Sequence, residues 1–283
     1  MLETALLLLL VGIFAGTAGS LLGIGGGMIV IPIITVGMGL PIKYAIGASV
    51  IAVIATSSGA TIAYLRDELL NLRVAMFLEI ATTVGAITGA VLVGLIHAVW
   101  LEALFGCFLL YSCYNMIKKL WGKKKLDTDQ DVVPDHLSQR LRLGGSYYDN
   151  LTMKQVDYQV TNVPGGFAMM YGAGLASGLL GIGSGVFKVI AMDTIMKMPL
   201  KPSSATSNLM MGVTAAASAT VYFFEGAIRP EIAAPIALGI LIGAAIGTRI
   251  MQRIQPRILR IIFVPILFYM GIQMLIKGIG GTF

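Results

Sequence analysis

The chain of 283 residues is 57% hydrophobic and only 12% charged, with a mean hydropathy of +0.85. Soluble domains carry about 25% charged residues, so a water-exposed globular fold is excluded. The net charge of +6 and pI near 9.3 do not describe a nucleic-acid surface, because the basic residues sit in short loops beside apolar runs, as membrane topology requires.

The first apolar run covers about residues 4–22. Met1 to Glu3 supply no basic leader, so the run is expected to be a retained helix and not a cleaved signal peptide. It ends in LLGIGGG (Leu21–Gly27), and four further apolar segments follow at about 27–40, 44–65, 74–96 and 99–120. The longer ones reach the roughly 20 residues that cross about 30 Å of hydrocarbon. Cys107 and Cys113 have neither metal-ligand spacing nor a redox motif, and no pattern in the chain calls for a cofactor or a metal.

Residues 122–164 are polar and carry both signs of charge, including Asp127, Asp129, Asp131, Arg140, Arg142, Asp149 and Asp157. That stretch is too polar to cross a bilayer and is expected in the cytoplasm. The alternation in Arg140–Val160 allows a small hairpin; a disordered linker is the other reading.

Apolar segments resume at about 166–180, 185–198, 202–224, 231–250 and 257–277. LLGIGSG (Leu179–Gly185) repeats the first motif at an offset of 158, counted from Leu21 to Leu179. The same offset, held without a gap, superimposes Pro41 and Lys43 on Pro199 and Lys201, Ser49 on Ser207, Thr56 on Thr214, and Gly85 on Gly243. The fold class expected is therefore an all-α polytopic membrane protein made of two five-segment helical units, residues 1–121 and 165–283. The first two segments of each unit are either thin spans or half-helices that meet within the bilayer.

Basic residues set the orientation. Lys118, Lys119 and Lys123–Lys125 follow the fifth segment of the first unit, whereas Arg249, Arg253, Arg257 and Arg260 precede the fifth segment of the second. The two units then run in opposite directions, with both termini outside and 122–164 inside. An inverted repeat with a broken helix at a glycine-rich motif in each unit is a transporter arrangement, and the break is where substrate binds.

The glycine motif fits none of three soluble signatures. Gly23 and Gly25 are followed by Met28 where GxGxxG needs glycine, no Gly-Lys-Ser/Thr is present, and Ser184 is directly flanked by glycines, unlike the GxSxG serine. Bare backbone remains. The first N–H groups of a helix lack internal partners and carry partial positive charge, and glycine lets an anion approach them. Gly25, Gly26 and Gly27, with Gly183, Ser184 and Gly185, are the expected anion site. The alternative is tight helix packing through small residues.

Lys188 lies three residues beyond Gly185 in an apolar run, where an ammonium is expensive and must face a cavity or a partner. It is a candidate for the site's positive charge; a structural pair with Asp193 is the competing reading, as is pairing of Asp193 with Lys197. Ser49, Ser207 and Asn208, with Thr206 beside them, are candidates for hydrogen bonds to substrate oxygens, although hydroxyls on membrane helices commonly bond backbone. Glu79 and Asp193 are candidates for proton coupling, Glu79 having Arg73 as an alternative partner. His97 sits at an outer loop without a nucleophile and reads as structural.

The stretches GSLLGIGGGMIVIPII and SGLLGIGSGVFKVIAM, each followed by a Pro-x-Lys loop and a small-residue helix, resemble the sulfite exporter (TauE/SafE) family of membrane transporters. The resemblance spans about 10–100 and 170–275 but not the 122–164 insert. It implies a carrier of sulfur-containing anions, such as sulfite or sulfonates, in the bacterial inner membrane. Ser184 stands where the first motif has glycine, and Ile190 where it has Pro32, so the half-sites differ. The reading is a secondary transporter exporting a small anion by alternating access. A homo-oligomer is compatible with it. An anion channel is the first rival. An intramembrane enzyme is the second, and two histidines without HExxH or a Ser–His pairing argue against it.

Overall fold

A computed structural model of the chain describes residues 2–22, 25–66, 69–121, 133–149, 154–251 and 256–279. The first half contains α1 (Leu2–Leu22), α2 (Gly27–Pro32), α3 (Ile42–Arg66), α4 (Leu72–Val93) and α5 (Ala98–Trp121). The insert contributes α6 (His136–Leu141) and a hairpin of β1 (Gly145–Asp149) and β2 (Lys154–Tyr158). The second half contains α7 (Val163–Leu180), α8 (Gly185–Ile190), α9 (Leu200–Phe224), α10 (Pro230–Met251) and α11 (Pro256–Gly278). Gly23 and Ile24 of the first motif lie outside the described residues, as do Lys123–Lys125, Asp127, Asp129, Asp131 and Arg253. The side chains of Lys119, Arg249, Arg257 and Arg260 are likewise not described.

Among the described residues, α1, α3, α4, α5, α7 and α10 are long and apolar enough to cross a membrane. The chain is a multi-pass membrane protein. α9 has the same 25 residues as α3 but carries Ser203, Thr206, Ser207, Asn208, Thr214 and Ser218, all buried. Its polar face meets protein, which is why its hydropathy understates its length.

The segments after the glycine motifs are short. α2 has six residues and runs on through a five-residue π turn, Ile33–Gly37; α8 does the same through Ala191–Ile195. At 1.5 Å per residue each covers about 16 Å, half the hydrocarbon core. The preceding helices α1 and α7, with 21 and 18 residues, are full-length.

Lipid gives helices no hydrophobic drive to associate, so close approach through small residues replaces it. α1 packs along α10 and α4 along α7. A Cβ on Gly243 would lie 2.2 Å from Ile13 O, and one on Gly85 would lie 2.3 Å from Tyr171 O. Those two contacts superimpose under the 158-residue offset. Both pairs run parallel. α3 with α9 and α5 with α11 run antiparallel instead. Lys43 at the start of α3 reaches Glu225 at the end of α9 across 3.2 Å, and Lys277 near the end of α11 reaches Glu102 near the start of α5 across 3.6 Å. α3 is the central helix, with 72% of its apolar window buried against 39–44% in the other five.

The insert docks at one end of this bundle. The alternating stretch pairs Gly145 with Tyr158 through Asp149 with Lys154. Asp135 caps α6, accepting from Ser138 N at 2.8 Å, and its other oxygen accepts from Val163 N at 2.9 Å. Asn71 caps α4 by accepting from Val74 N, and its Nδ2 donates to Leu143 O and to the Tyr158 hydroxyl, 2.9 Å each. Thr161 N donates to Met196 O at 3.1 Å, just past the second π turn. Leu143, Val160 and Val163 join Val74, Leu78, Met192 and Met196 in one apolar cluster beneath it.

Candidate functional site

The two glycine motifs, far apart in sequence, meet between α3 and α9. Gly25 has φ +74° and Gly183 φ +71°, the left-handed region that a side chain disfavours. A Cβ on Gly183 would lie 2.7 Å from Val53 Cγ1 of α3, and one on Gly27 would lie 2.9 Å from Gly181 O. Gly12, Gly85, Gly174 and Gly243 of α1, α4, α7 and α10 therefore serve packing, while those of the motifs serve a backbone junction.

Hydroxyls fix that junction. Ser49 donates to Gly181 O at 2.5 Å, and Ser207 donates to Gly185 O at 3.0 Å. Gly26 N donates to Thr56 Oγ1 at 3.4 Å, and Thr56 donates onward to Ala52 O. The hydroxyl protons of Ser49 and Ser207 are thus spent on carbonyls. Ser184 differs. It is 2% exposed, left-handed at φ +47°, and its Oγ has no hydrogen-bond partner among the described residues. A buried hydroxyl without a partner carries a desolvation cost of about 1–3 kcal/mol, and it sits at the entry of α8 beside N–H groups that have no intrahelical acceptor.

Lys188, one turn along α8, is fully buried. Its Nζ donates to Met210 O at 3.0 Å and to Thr214 Oγ1. Thr214 Oγ1 stands 2.7 Å from Glu79 Oε1 of α4 and 2.7 Å from Met210 O. Thr83 also donates to Glu79 Oε1, at 3.3 Å, whereas Glu79 Oε2 is buried without a hydrogen-bond partner among the described residues. Glu79 is thus held by α9 and its own helix, and Arg73 donates instead to Arg142 O. Under the 158-residue offset, Lys188 and Glu79 superimpose on Val30 and Ala237, so this polar chain exists in one half only.

The remaining candidates lie nearby or elsewhere. Asn208 is buried on α9, its Nδ2 donates to Ser204 O, and its main-chain carbonyl accepts from the Ser57 hydroxyl. Thr206 Oγ1 accepts from Asn71 N at 3.1 Å and so serves the start of α4, not the junction. Asp193 lies on the π turn after α8. Among the described residues no three His, Cys, Asp or Glu gather to hold a metal ion. The junction is closed: Ser49, Ser184, Lys188, Ser207 and Thr214 are each at most 2% exposed. A cavity of about 350 Å³ opens away from it, between Pro32, Ile33 and Val36 on one side and Tyr269 and Gln273 of α11 on the other.

An ionisable residue in an apolar run is visible in the sequence, as Lys188 and Glu79 are. That they share Thr214 is not, because no periodicity links α4, α8 and α9.

The family model described as "Sulfite exporter TauE/SafE" matches residues 8–274. The "Probable membrane transporter protein YunE" of Bacillus subtilis is 23% identical over 227 residues, covering 78% of either chain. A second "Probable membrane transporter protein", from Methanocaldococcus jannaschii, is 28% identical over 207 residues, covering 71% of this chain and 66% of its own. No solved structure matches.

Proposed function

We propose, on the premise that the chain belongs to the sulfite exporter TauE/SafE family and is a membrane transporter, that it exports a small sulfur-containing anion by alternating access. The observation that carries this reading is Ser184, a buried donor without a partner among the described residues, at the meeting point of two glycine motifs. An oxyanion supplies the acceptors that such donors lack. The N–H groups of Gly25, Gly27 and Gly183–Gly185, the Ser184 hydroxyl and the Lys188 charge would hold it, with Asn208 close by on α9; Gly26 N–H, already donating to Thr56, would join them only by giving up that bond. Ser49 and Ser207, having spent their protons on carbonyls, would shape the site and could only accept a hydrogen bond from a protonated oxyanion.

The inverted-repeat reading is supported by the antiparallel course of α3 against α9 and of α5 against α11, because equivalent helices of oppositely inserted units must run that way. Two half-length segments at the bundle's middle fit the broken-helix reading, since non-helical backbone is tolerated in a bilayer only where protein or a watery cavity covers it. The burial of the junction favours a carrier over an open pore: a carrier passes through an occluded state, and a conducting channel does not. Residues 122–164 on the cytoplasmic face of a bacterial inner membrane, with both termini opposite, complete the reading.

Flux into proteoliposomes across sulfite, sulfate, methanesulfonate and chloride tests it. The wild type should move a sulfur oxyanion at carrier rates, and Ser184→Ala should weaken its binding about ten- to a hundredfold, as expected when a hydrogen bond to a charged group is lost. Flux of none of these anions, or chloride conductance far above carrier turnover, would overturn it.

A further inference from the structure

We propose that the buried chain Lys188–Thr214–Glu79 is a proton-coupling site, at which Glu79 takes up one proton for each anion bound. The inference rests on the anion-carrier reading and adds the coupling ion to it.

Three features of the geometry point this way. Thr214 has one hydroxyl proton and two acceptors at equal distance, Glu79 Oε1 and Met210 O, while Lys188 donates to it. Its hydroxyl can therefore turn from the carboxyl group to the carbonyl without moving any backbone. Glu79 Oε2 is a buried carboxylate oxygen with no hydrogen-bond partner among the described residues, the place where an added proton would sit. The polar chain is also dispensable to the architecture, since Val30, Thr56 and Ala237 occupy the superimposed positions of the other half. Packing thus gives no reason to bury a lysine and a glutamate here.

Charge supplies the coupling. With Glu79 ionised, the pair is neutral overall and Lys188 is already matched. When a hydronium ion gives its proton to Glu79 Oε2, an O–H bond forms, one water leaves, and Lys188 carries an unmatched positive charge. Lys188 lies three residues from Gly185, about 5 Å along α8, so that charge acts on the glycine junction. An anion there restores neutrality, and by linkage the bound anion must favour the protonated glutamate equally. Release of both on the other face reverses each step, with nothing oxidised or reduced. Proton and anion move in the same direction.

The other ionisable groups on the surrounding helices are engaged or distant. Tyr171 on α7 meets the Thr88 hydroxyl, Tyr222 on α9 donates to Gly178 O, and Glu225 at the end of α9 pairs with Lys43 of α3. Arg73 on α4 is bonded to the insert. Lys201 lies at the outset of α9, thirteen residues before Thr214, and Asp193 lies on the π turn beyond α8.

Two measurements test the proposal. The first needs no substrate. Infrared difference spectra of the reconstituted protein, titrated across the physiological range, should show a carboxyl band that is missing in Glu79→Gln and shifted in midpoint by Lys188→Met. Identical spectra for wild type and Glu79→Gln would overturn the proposal. The second uses methanesulfonate, whose single charge does not titrate, so any proton moved is moved by the protein. A unit pH gradient should support up to about tenfold accumulation at one proton per anion, with a matching pH change in a trapped dye. The residual flux of Glu79→Gln should ignore the gradient. Should that variant misfold, Thr214→Val, which keeps both charges but cuts the relay, should weaken the response to the gradient. Methanesulfonate flux in the wild type without proton movement would overturn the coupling while leaving the carrier reading intact. Absence of any anion flux would overturn the carrier reading, and the infrared titration alone would then decide whether Glu79 exchanges protons.

Discussion

Gly27 and Gly181 lie against each other so closely that a Cβ on Gly27 would sit 2.9 Å from the Gly181 carbonyl oxygen, the same oxygen that receives the Ser49 hydroxyl. The two halves of the protein are thus joined backbone to backbone at their middle, and a single methyl group has nowhere to go. The same Cβ would lie only 2.2 Å from Ser49 Oγ. Gly27→Ala is expected to lower thermal stability sharply, and Ser49→Ala by about 0.6–1.7 kcal/mol, the range for polar contacts between membrane helices. In the double variant the loss should be smaller than the sum, because removing Oγ relieves one of the two clashes. Additive losses in detergent melts would mean that the serine and the glycine do not share the contact.

Gly183 and Gly172 make a matched comparison. Gly183 has φ +71° and its Cβ would strike Val53, whereas a Cβ on Gly172 of α7 would meet nothing within 4 Å. Gly183→Val should abolish transport with protein still reaching the membrane, and Gly172→Ala should stabilise by about 0.5–1 kcal/mol through helix propensity alone. Gly26→Val, whose Cβ neighbours stand off at 3.3 Å, should fall between them. Transport by Gly183→Val at the wild-type rate would return the motif glycines to a packing role.

Lys188 and Glu79 should be coupled in folding as well as in transport. Either Lys188→Met or Glu79→Gln leaves one charge without its counterpart, a loss of about 3–5 kcal/mol when a buried pair is broken. The Lys188→Met, Glu79→Gln double variant leaves none, so its monodisperse yield should exceed that of the worse single variant. Asp193→Asn should not reproduce this rescue with Lys188→Met. The opposite result would make Asp193, not Glu79, the counter-charge of Lys188.

Orientation can be read by thiol labelling in a background without Cys107 and Cys113. His97 and Gln139 are both exposed, on opposite ends of the bundle. An impermeant reagent applied to cells should label His97→Cys and not Gln139→Cys. The reverse pattern would invert the topology and remove the export direction with it.

The docked insert should respond to alkali. Burial raises the Tyr158 hydroxyl above the usual value of 10.0, and Asn71 opposes this by donating to it. A raised pKa means that the folded state prefers the neutral phenol, so the docking is intact below about pH 10 and weakens as pH rises through the folded value. Proteolysis of residues 133–160 should accelerate above that pH in the wild type, and in Tyr158→Phe the alkaline acceleration should be reduced.

Sequence and structure divide this protein along a clear physical line. Hydropathy runs and the 158-residue offset between the glycine motifs are properties of the chain itself, so a mostly helical polytopic membrane protein was legible from residues alone. So was the oddity of Lys188 and Glu79, because a charge in an apolar run is visible without coordinates. The chain could not say whether the segments flanking each motif were full spans; the structure makes α1 and α7 full-length and leaves α2 and α8 short. It could not say which glycines face helices and which face each other, since Gly85 and Gly183 look alike in a list of letters. Nor could it say that Ser49 and Ser207 donate to carbonyls while Ser184 finds no acceptor among the described residues, or that α4 and α8 meet through Thr214. Those facts depend on where a hydroxyl's one proton is directed, and only the packing of α3 against α9 determines that.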